Sequence, residues 1–256
     1  MHTLTLEQKD ELVSIIEGEF GPQLEFTQFA DAMLGIFEGV AGFETITKSR
    51  STLLYTTTTD GLLAYDVEAG GPAVAVSAAN APRQIFVVAN QVVGLDCLDS
   101  NGDRDNRLLR TSAFSDHTNW STDGADYQSL EDGGALVGGG ALSETAAVIY
   151  QERSIRLMDY TTAGSGAYFA LRLIASETGS IGARSLAFAD GRGFSAATDG
   201  FYMVTLGGGL VPIGTERINR WFLNTVDQAN LPLVQASIDP LRKIVWWRMK
   251  RAVDLS

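Results

Sequence analysis

The sequence predicts an all-β fold, a β-propeller-like arrangement of short antiparallel hairpins with a small helical segment at the N-terminus. From residue 43 onward, short apolar, β-branched or aromatic runs alternate with clusters of Gly, Asp, Asn and Thr at strand-and-turn spacing. Glycine is frequent at 27 residues and proline scarce at 6, which fits many tight turns better than stiff linkers. Two segments also resemble each other. Leu53-Leu54-Tyr55-Thr56 leads into Thr59-Asp60-Gly61-Leu62-Leu63-Ala64-Tyr65, and Leu186-Ala187-Phe188-Ala189 leads into Thr198-Asp199-Gly200-Phe201-Tyr202-Met203-Val204. Each reads as a strand, a polar connection, and an Asp-Gly turn that opens another strand, because a tight hairpin needs a residue tolerant of positive φ. Strand pairs recurring every 30 to 50 residues match the blade period of a propeller. A β-sandwich or an irregular barrel of hairpins fits the same texture.

Taken in order, residues 1–42 read as an N-terminal helical arm and 43–256 as the propeller-like domain. Residues 3–18 have Thr3 or Thr5 to cap a helix, Glu7 and Gln8 in its first turn, and Leu6, Leu12, Val13 and Ile16 near helical spacing; Gly18 and Gly21-Pro22 end it. A second helical stretch, 26–40, sets Phe29, Met33, Leu34, Phe37 and Val40 on one side. The clearest strands are 51–57, 61–67, 84–89, 92–97, 107–113, 146–150, 155–160, 168–175, 185–189, 201–206 and 243–248. Helical character returns at 217–226.

Composition narrows the function classes. With 45% apolar and 20% charged residues the chain is a folded globular protein. Its formal charge of −12 argues against ordinary DNA binding through a basic surface, and suits a passage through which DNA slides without sticking. The single Cys97 excludes a disulfide framework or a cysteine-rich zinc site, and its apolar run, Val92 to Leu98, points to a small buried side chain. His2 and His117 are far apart and offer little for a metal site or a catalytic triad. The N-terminus lacks a basic stretch followed by an apolar one, and no apolar run reaches membrane-spanning length, so synthesis and folding in a cytoplasm are expected, with no membrane anchor.

No segment carries a catalytic or cofactor constellation. Asp99-Ser100-Asn101-Gly102-Asp103-Arg104-Asp105 spaces its oxygens like a calcium loop, but Arg104 stands where the loop demands Gly and Arg110 where a bidentate Glu should close the shell. A solvated hairpin turn is the expectation, with no metal. Gly138-Gly139-Gly140 and Gly207-Gly208-Gly209 are not followed by Lys-Ser/Thr or by a periodic helix, so turns between strands are expected there rather than phosphate loops. Glu144, Glu152, Asp159 and Glu177 form no facing carboxylate pair that the sequence reveals. Gln151-Glu152-Arg153-Ser154-Ile155-Arg156 is a charged insert between apolar runs, so Glu152, Arg153 and Arg156 are candidates for inter-subunit salt bridges or for a solvated hairpin. Trp246 and Trp247 point to opposite faces of a strand, which makes them candidates for one core and one interface residue.

Six segments in order carry a family resemblance. They are Arg110-Thr111-Ser112-Ala113-Phe114-Ser115-Asp116-His117-Thr118-Asn119-Trp120, Asp126-Tyr127-Gln128-Ser129-Leu130-Glu131-Asp132-Gly133-Gly134, the run from Ala147 to Met158, Thr198-Asp199-Gly200-Phe201-Tyr202, Pro212 to Phe222, and Asp239 to Trp247. This series resembles the β-propeller proteins of short-tailed bacteriophages known as packaged-DNA stabilisation, tail hub or tail nozzle proteins. The resemblance implies a non-enzymatic virion protein made in the host cytoplasm: a ring of six copies, stacked below the portal and adaptor among other tail proteins. Such a ring retains packaged DNA and conducts it at ejection without sequence-specific binding, and needs no cofactor. A long-tailed phage using the same module as a head-tail connector fits as well. The competing reading is a glycan-binding or glycan-cleaving tail propeller, which requires exposed aromatics beside a carboxylate pair.

Overall fold

The computed structural model describes residues 53–58, 61–66, 72–77, 80–161, 168–239 and 241–251. The expected N-terminal arm, 1–42, with its two helices, lies outside them.

Among the described residues, seventeen strands fall into successive antiparallel sheets. The first sheet holds β1 (Leu53–Thr58), β2 (Gly61–Asp66) and β3 (Val74–Ser77). The second holds β4 (Gln84–Val88), β5 (Gln91–Leu98), β6 (Arg104–Thr111) and β7 (Asp126–Ser129). The third holds β8 (Leu136–Ala141), β9 (Ala146–Gln151), β10 (Ile155–Tyr160) and β11 (Phe169–Ala175). The fourth holds β12 (Ala187–Ala189), β13 (Arg192–Ala197), β14 (Gly200–Thr205) and β15 (Leu210–Pro212). Helix α1 (Thr215–Thr225) and a 3-10 segment, Gln228–Leu233, then lead to a two-stranded sheet of β16 (Gln235–Asp239) and β17 (Ile244–Arg248). Within each sheet, strands pair in sequence order.

What makes this arrangement propeller-like is how the sheets meet. The first strand of one sheet lies against the first strand of another: β1 on β4, β4 on β8, β12 on β16. Each sheet then packs face to face on its neighbours. Strand alternation divides the apolar residues between successive interfaces. In β5, Val92 joins Leu62, Ala64 and Ile85 between the first and second sheets, whereas Val93 and Leu95 join Phe86, Leu109, Leu136, Ile149 and Met158 between the second and third. In β9, Ala147 and Ile149 face back toward the second sheet, and Val148 and Tyr150 face the fourth with Leu157 and Val204. All of β9 is buried, so it reads as a continuous apolar run rather than an alternating one.

Two expectations need correcting. Gly138-Gly139-Gly140 is no turn; it lies inside β8, the first strand of the third sheet. A methyl at Gly138 would come within 2.7 Å of Leu186, at Gly139 within 2.8 Å of Phe86 and the Val148 carbonyl, and at Gly140 within 2.7 Å of Phe188. Phe86 belongs to β4 and Phe188 to β12, so the three glycines let adjoining sheets close on β8 from both sides. Gly207-Gly208-Gly209 does turn the chain from β14 to β15. The second correction concerns the repeated Thr-Asp-Gly motif: the stretch before Asp199-Gly200, expected as a polar connection, is strand β13. The Thr198-Asp199 turn closes the β13–β14 hairpin through Ala197 paired with Gly200, whose φ is 151°.

Candidate functional site

The charged insert at 151–156 is a structural hub. Gln151, at the end of β9, is fully buried, and its amide nitrogen donates to the carbonyls of Leu130, Asp132 and Gly134 at 3.1, 2.6 and 2.8 Å. Its carbonyl oxygen accepts from Ser154 Oγ at 2.7 Å and from Arg156 Nε at 3.4 Å. The β9–β10 hairpin is thereby clamped to the loop entering β8. Gly133 and Gly134 adopt φ of 85° and 86° directly beneath it, where a methyl would collide with Ser154 and Glu152.

Within this hub the candidate interface residues separate. Arg156 is mostly buried and pairs with Asp132 of its own chain. Glu152 Oε2 accepts from the Ala135 amide at 3.3 Å, and the Glu152 and Arg153 amides donate to Ala135 and Gly133. Glu152 and Arg153 side chains are exposed.

Strand β17 separates the tryptophans as alternation requires. Trp247 turns inward; its ring centre lies 4.7 Å from that of Phe201, and its indole nitrogen donates to the Ser185 carbonyl at 3.0 Å. Phe222 of α1 completes the cluster, 4.7 Å from Phe201. Trp246 is 51% exposed on the opposite face, with Ile244 and Arg248. Across the ladder, Trp246 pairs with Ser237 and Arg248 with Gln235.

Beside this outward face is a cleft of about 560 Å³ lined by Arg184, Leu233, Gln235, Arg248, Met249 and Lys250. Arg184 lies on a 3-10 turn, Ala183–Ser185, held by three contacts. Ser185 Oγ donates to the Gly182 carbonyl at 2.8 Å, Gly182 abuts Pro232, and Trp247 donates to Ser185. Lys250 is fixed by its carbonyl, which accepts from the Asp227 amide at 3.0 Å, and by an ion pair to Asp227 at 3.7 Å. The sequence contains a signal for half of this cleft: the charged residues of 241–251 are Arg242, Lys243, Arg248, Lys250 and Arg251, all cationic, in a chain of net charge −12. Arg184, some sixty residues upstream, joins them only through the fold.

A second ionic cluster lies within the second sheet. Asp96 sits in the β-bulge of β5, at φ 54°, with Arg83 at 3.4 Å and Arg104 at 3.7 Å. Burial lifts its carboxyl above the ordinary range against the pull of both guanidiniums. Burial likewise pushes the neighbouring Cys97 thiol up to about 12. The loop that resembles a calcium site folds on itself: Asp99 Oδ1 accepts from the Asn101 and Asp103 amides at 2.8 and 2.9 Å. These bonds hold its carboxyl below the usual range. Among the described residues no group of three or more His, Cys, Asp or Glu could hold a metal ion, and no helix is long and apolar enough to cross a membrane.

No family model matches this sequence, and no curated protein matches it. Solved structures similar to part of the chain include the following two. PorZ, an essential bacterial surface component of the type-IX secretion system of Porphyromonas gingivalis, is 13% identical over 63% of this chain and 20% of its own, with a TM-score of 0.41. Hsv2 of Kluyvelomyces marxianus is 10% identical over 66% of this chain and 46% of its own, with a TM-score of 0.40. The chain thus spans a fifth of one and less than half of the other.

Proposed function

We propose that this chain is a non-enzymatic structural subunit of a phage tail channel, a nozzle, hub or head-tail connector ring that retains packaged DNA and conducts it at ejection. The observation that supports this reading best is that five of the six segments resembling short-tailed-phage tail propellers make scaffold contacts with one another, in two groups. Asp132-Gly133-Gly134 is clamped to Gln151–Arg156 through the Gln151 amide and the Arg156–Asp132 pair. Asp199-Gly200-Phe201 docks on α1, where Asn219 Oδ1 accepts from the Phe201 amide at 3.4 Å and fills the space a Cβ of Gly200 would need. Trp247, from the last segment, packs against Phe201 with its ring tilted by 45°. Residues shared with such a family for assembly would be of this kind, since a ring subunit needs a rigid frame rather than a reaction centre.

The subunit's ring interface is heterologous in this reading, each copy offering two different patches. Glu152 and Arg153 on the exposed hairpin, and Trp246 on the outward face of β17, are its candidate contacts. Mass photometry and native mass spectrometry on the purified chain, followed by negative-stain imaging, test the proposal. A ring of about six copies with an open centre is expected. A monomer at tens of micromolar that binds oligosaccharides in a glycan screen would replace it with the receptor-binding reading.

A further inference from the structure

We propose that the outward face of helix α1 docks a second copy of this chain, receiving the acidic, aromatic rim formed by the turns of the second, third and fourth sheets. The inference rests on the ring reading and deepens it, naming both halves of one heterologous contact.

Helical period gives α1 two distinct sides. Phe222 is buried against Phe201, and Asn219 Oδ1 accepts from the Phe201 amide, so both face the fold. Arg217, Ile218, Arg220 and Trp221, three and four positions apart, lie together on the other side. All four are exposed, Ile218 by 51% and Trp221 by 57%. Neither Arg217 nor Arg220 has an acidic side chain within ion-pair distance among the described residues. Trp and Arg are the residues that protein interfaces favour most, and here they stand together on a chain of net charge −12.

The complementary surface is on the same chain. Backbone bonds join the turns at one end of the second and third sheets: Ser115 donates to Asn90 at 2.9 Å, Ala89 to Glu144 at 2.8 Å, and Tyr160 to Thr145 at 2.8 Å. The β12–β13 turn of the fourth sheet adjoins them, since a methyl at Gly191 would touch the Leu142 carbonyl at 3.4 Å. This rim carries Asp123, Asp159 and Asp190, none within ion-pair distance of a cation among the described residues. With Asp116 and Glu144 on the same turns, carboxylates outnumber the exposed cation Arg192. Phe114, 47% exposed, is backed by Tyr160 at 6.5 Å between ring centres. The helix thus offers cations around an apolar centre, and the rim offers anions around an apolar centre.

A nucleic-acid strand would meet the two arginines as well, but the acidic chain repels its phosphates, which offer Ile218 nothing apolar. Repulsion between whole copies is screened beyond about 8 Å at physiological salt, so the local contact decides.

Sedimentation velocity and mass photometry of the full chain test the contact. Arg217→Glu/Arg220→Glu and Asp159→Lys/Asp190→Lys should each weaken self-association about tenfold or more, with circular dichroism and melting temperature as in wild type. An equimolar mixture of the two variants should restore it, because each supplies the charge the other lacks. Trp221→Ala and Phe114→Ala should weaken it with no change of charge. Arg242→Ala, an exposed cation paired with Asp239, should leave it as in wild type. Rings that persist in all these variants would overturn the contact and leave the channel reading standing. Dimers or open chains of wild type that the variants dissolve would support the contact and remove the closed ring. A wild type that stays monomeric at tens of micromolar would overturn both. Loss in both charge variants without recovery in the mixture would overturn the rim as the acceptor. Weaker binding of a fluorescein-labelled single-stranded 20-mer by Arg217→Glu/Arg220→Glu, with self-association intact, would assign the face to nucleic acid instead.

Discussion

Gly139 and Gln151 show how much of this molecule rests on single positions. A methyl at Gly139 would meet the Val148 carbonyl at 2.8 Å, and backbone cannot move aside as a flexible side chain can. Gly139→Ala should therefore destabilise the fold by about 1–3 kcal/mol, the usual cost of overpacking, read as a lowered urea midpoint at constant m-value. The two amide protons of Gln151 are shared among three carbonyls while its side-chain oxygen accepts from Ser154. Gln151→Glu removes the donor and sets a carboxylate oxygen against those carbonyls. A loss of about 3 kcal/mol or more is expected, exceeding that of Gln151→Leu, which leaves the carbonyls unpaired without adding repulsion. Similar chemical denaturation of both variants would remove the hub from the account.

Strand β17 and helix α1 show what an element contributes by having two faces. Trp247 and Phe222 face inward onto Phe201, while Trp246 faces outward with Ile244 and Arg248. Trp247→Ala should cost about 2–3 kcal/mol, from lost ring packing and an unmet Ser185 carbonyl. Trp246→Ala should cost less than about 0.5 kcal/mol in the monomer. In the ring reading the second substitution instead weakens assembly, so the pair of measurements separates folding from association.

At the scale of the whole molecule, charge sets the response to pH. The native state holds the Asp96 proton more tightly than the unfolded chain does, because burial raises this carboxyl. Its ionised form is therefore a penalty above the folded pKa, relieved as pH falls through that value toward the unfolded one near 3.8. Asp99, Asp116 and Glu131 work in the opposite direction. Their carboxyls are held low by hydrogen bonds, to the Asp103 amide, the Thr118 hydroxyl and the Ser129 hydroxyl respectively. Their contributions exist above the unfolded values and disappear as pH falls through the folded ones. Comparing wild type with Asp96→Asn from pH 7 to pH 4 isolates the first effect: the stability difference should move in favour of wild type on acidification. A difference that is flat across this range would show that Arg83 and Arg104 offset the burial completely.

Local pattern by itself determined the β-rich class, the turn at Asp199-Gly200, helix α1, the burial of Cys97 and the opposite faces of Trp246 and Trp247, because each follows from a period or a turn preference acting over a few residues. Strands β3, β7, β8, β13, β15 and β16 escaped the sequence reading; they are short, polar or glycine-rich, and their pairing is decided by neighbours rather than by their own composition. Gly138-Gly139-Gly140 is the sharpest case, since a glycine run signals a turn locally but here serves the close approach of two other sheets. The charged 151–156 segment was visible as unusual, yet whether it faces a partner or its own chain depended on Asp132 and Gly133, some twenty residues away. The cleft was legible only as a run of cations after residue 241; the tertiary structure added Arg184, because a site assembled from distant segments has no local signature.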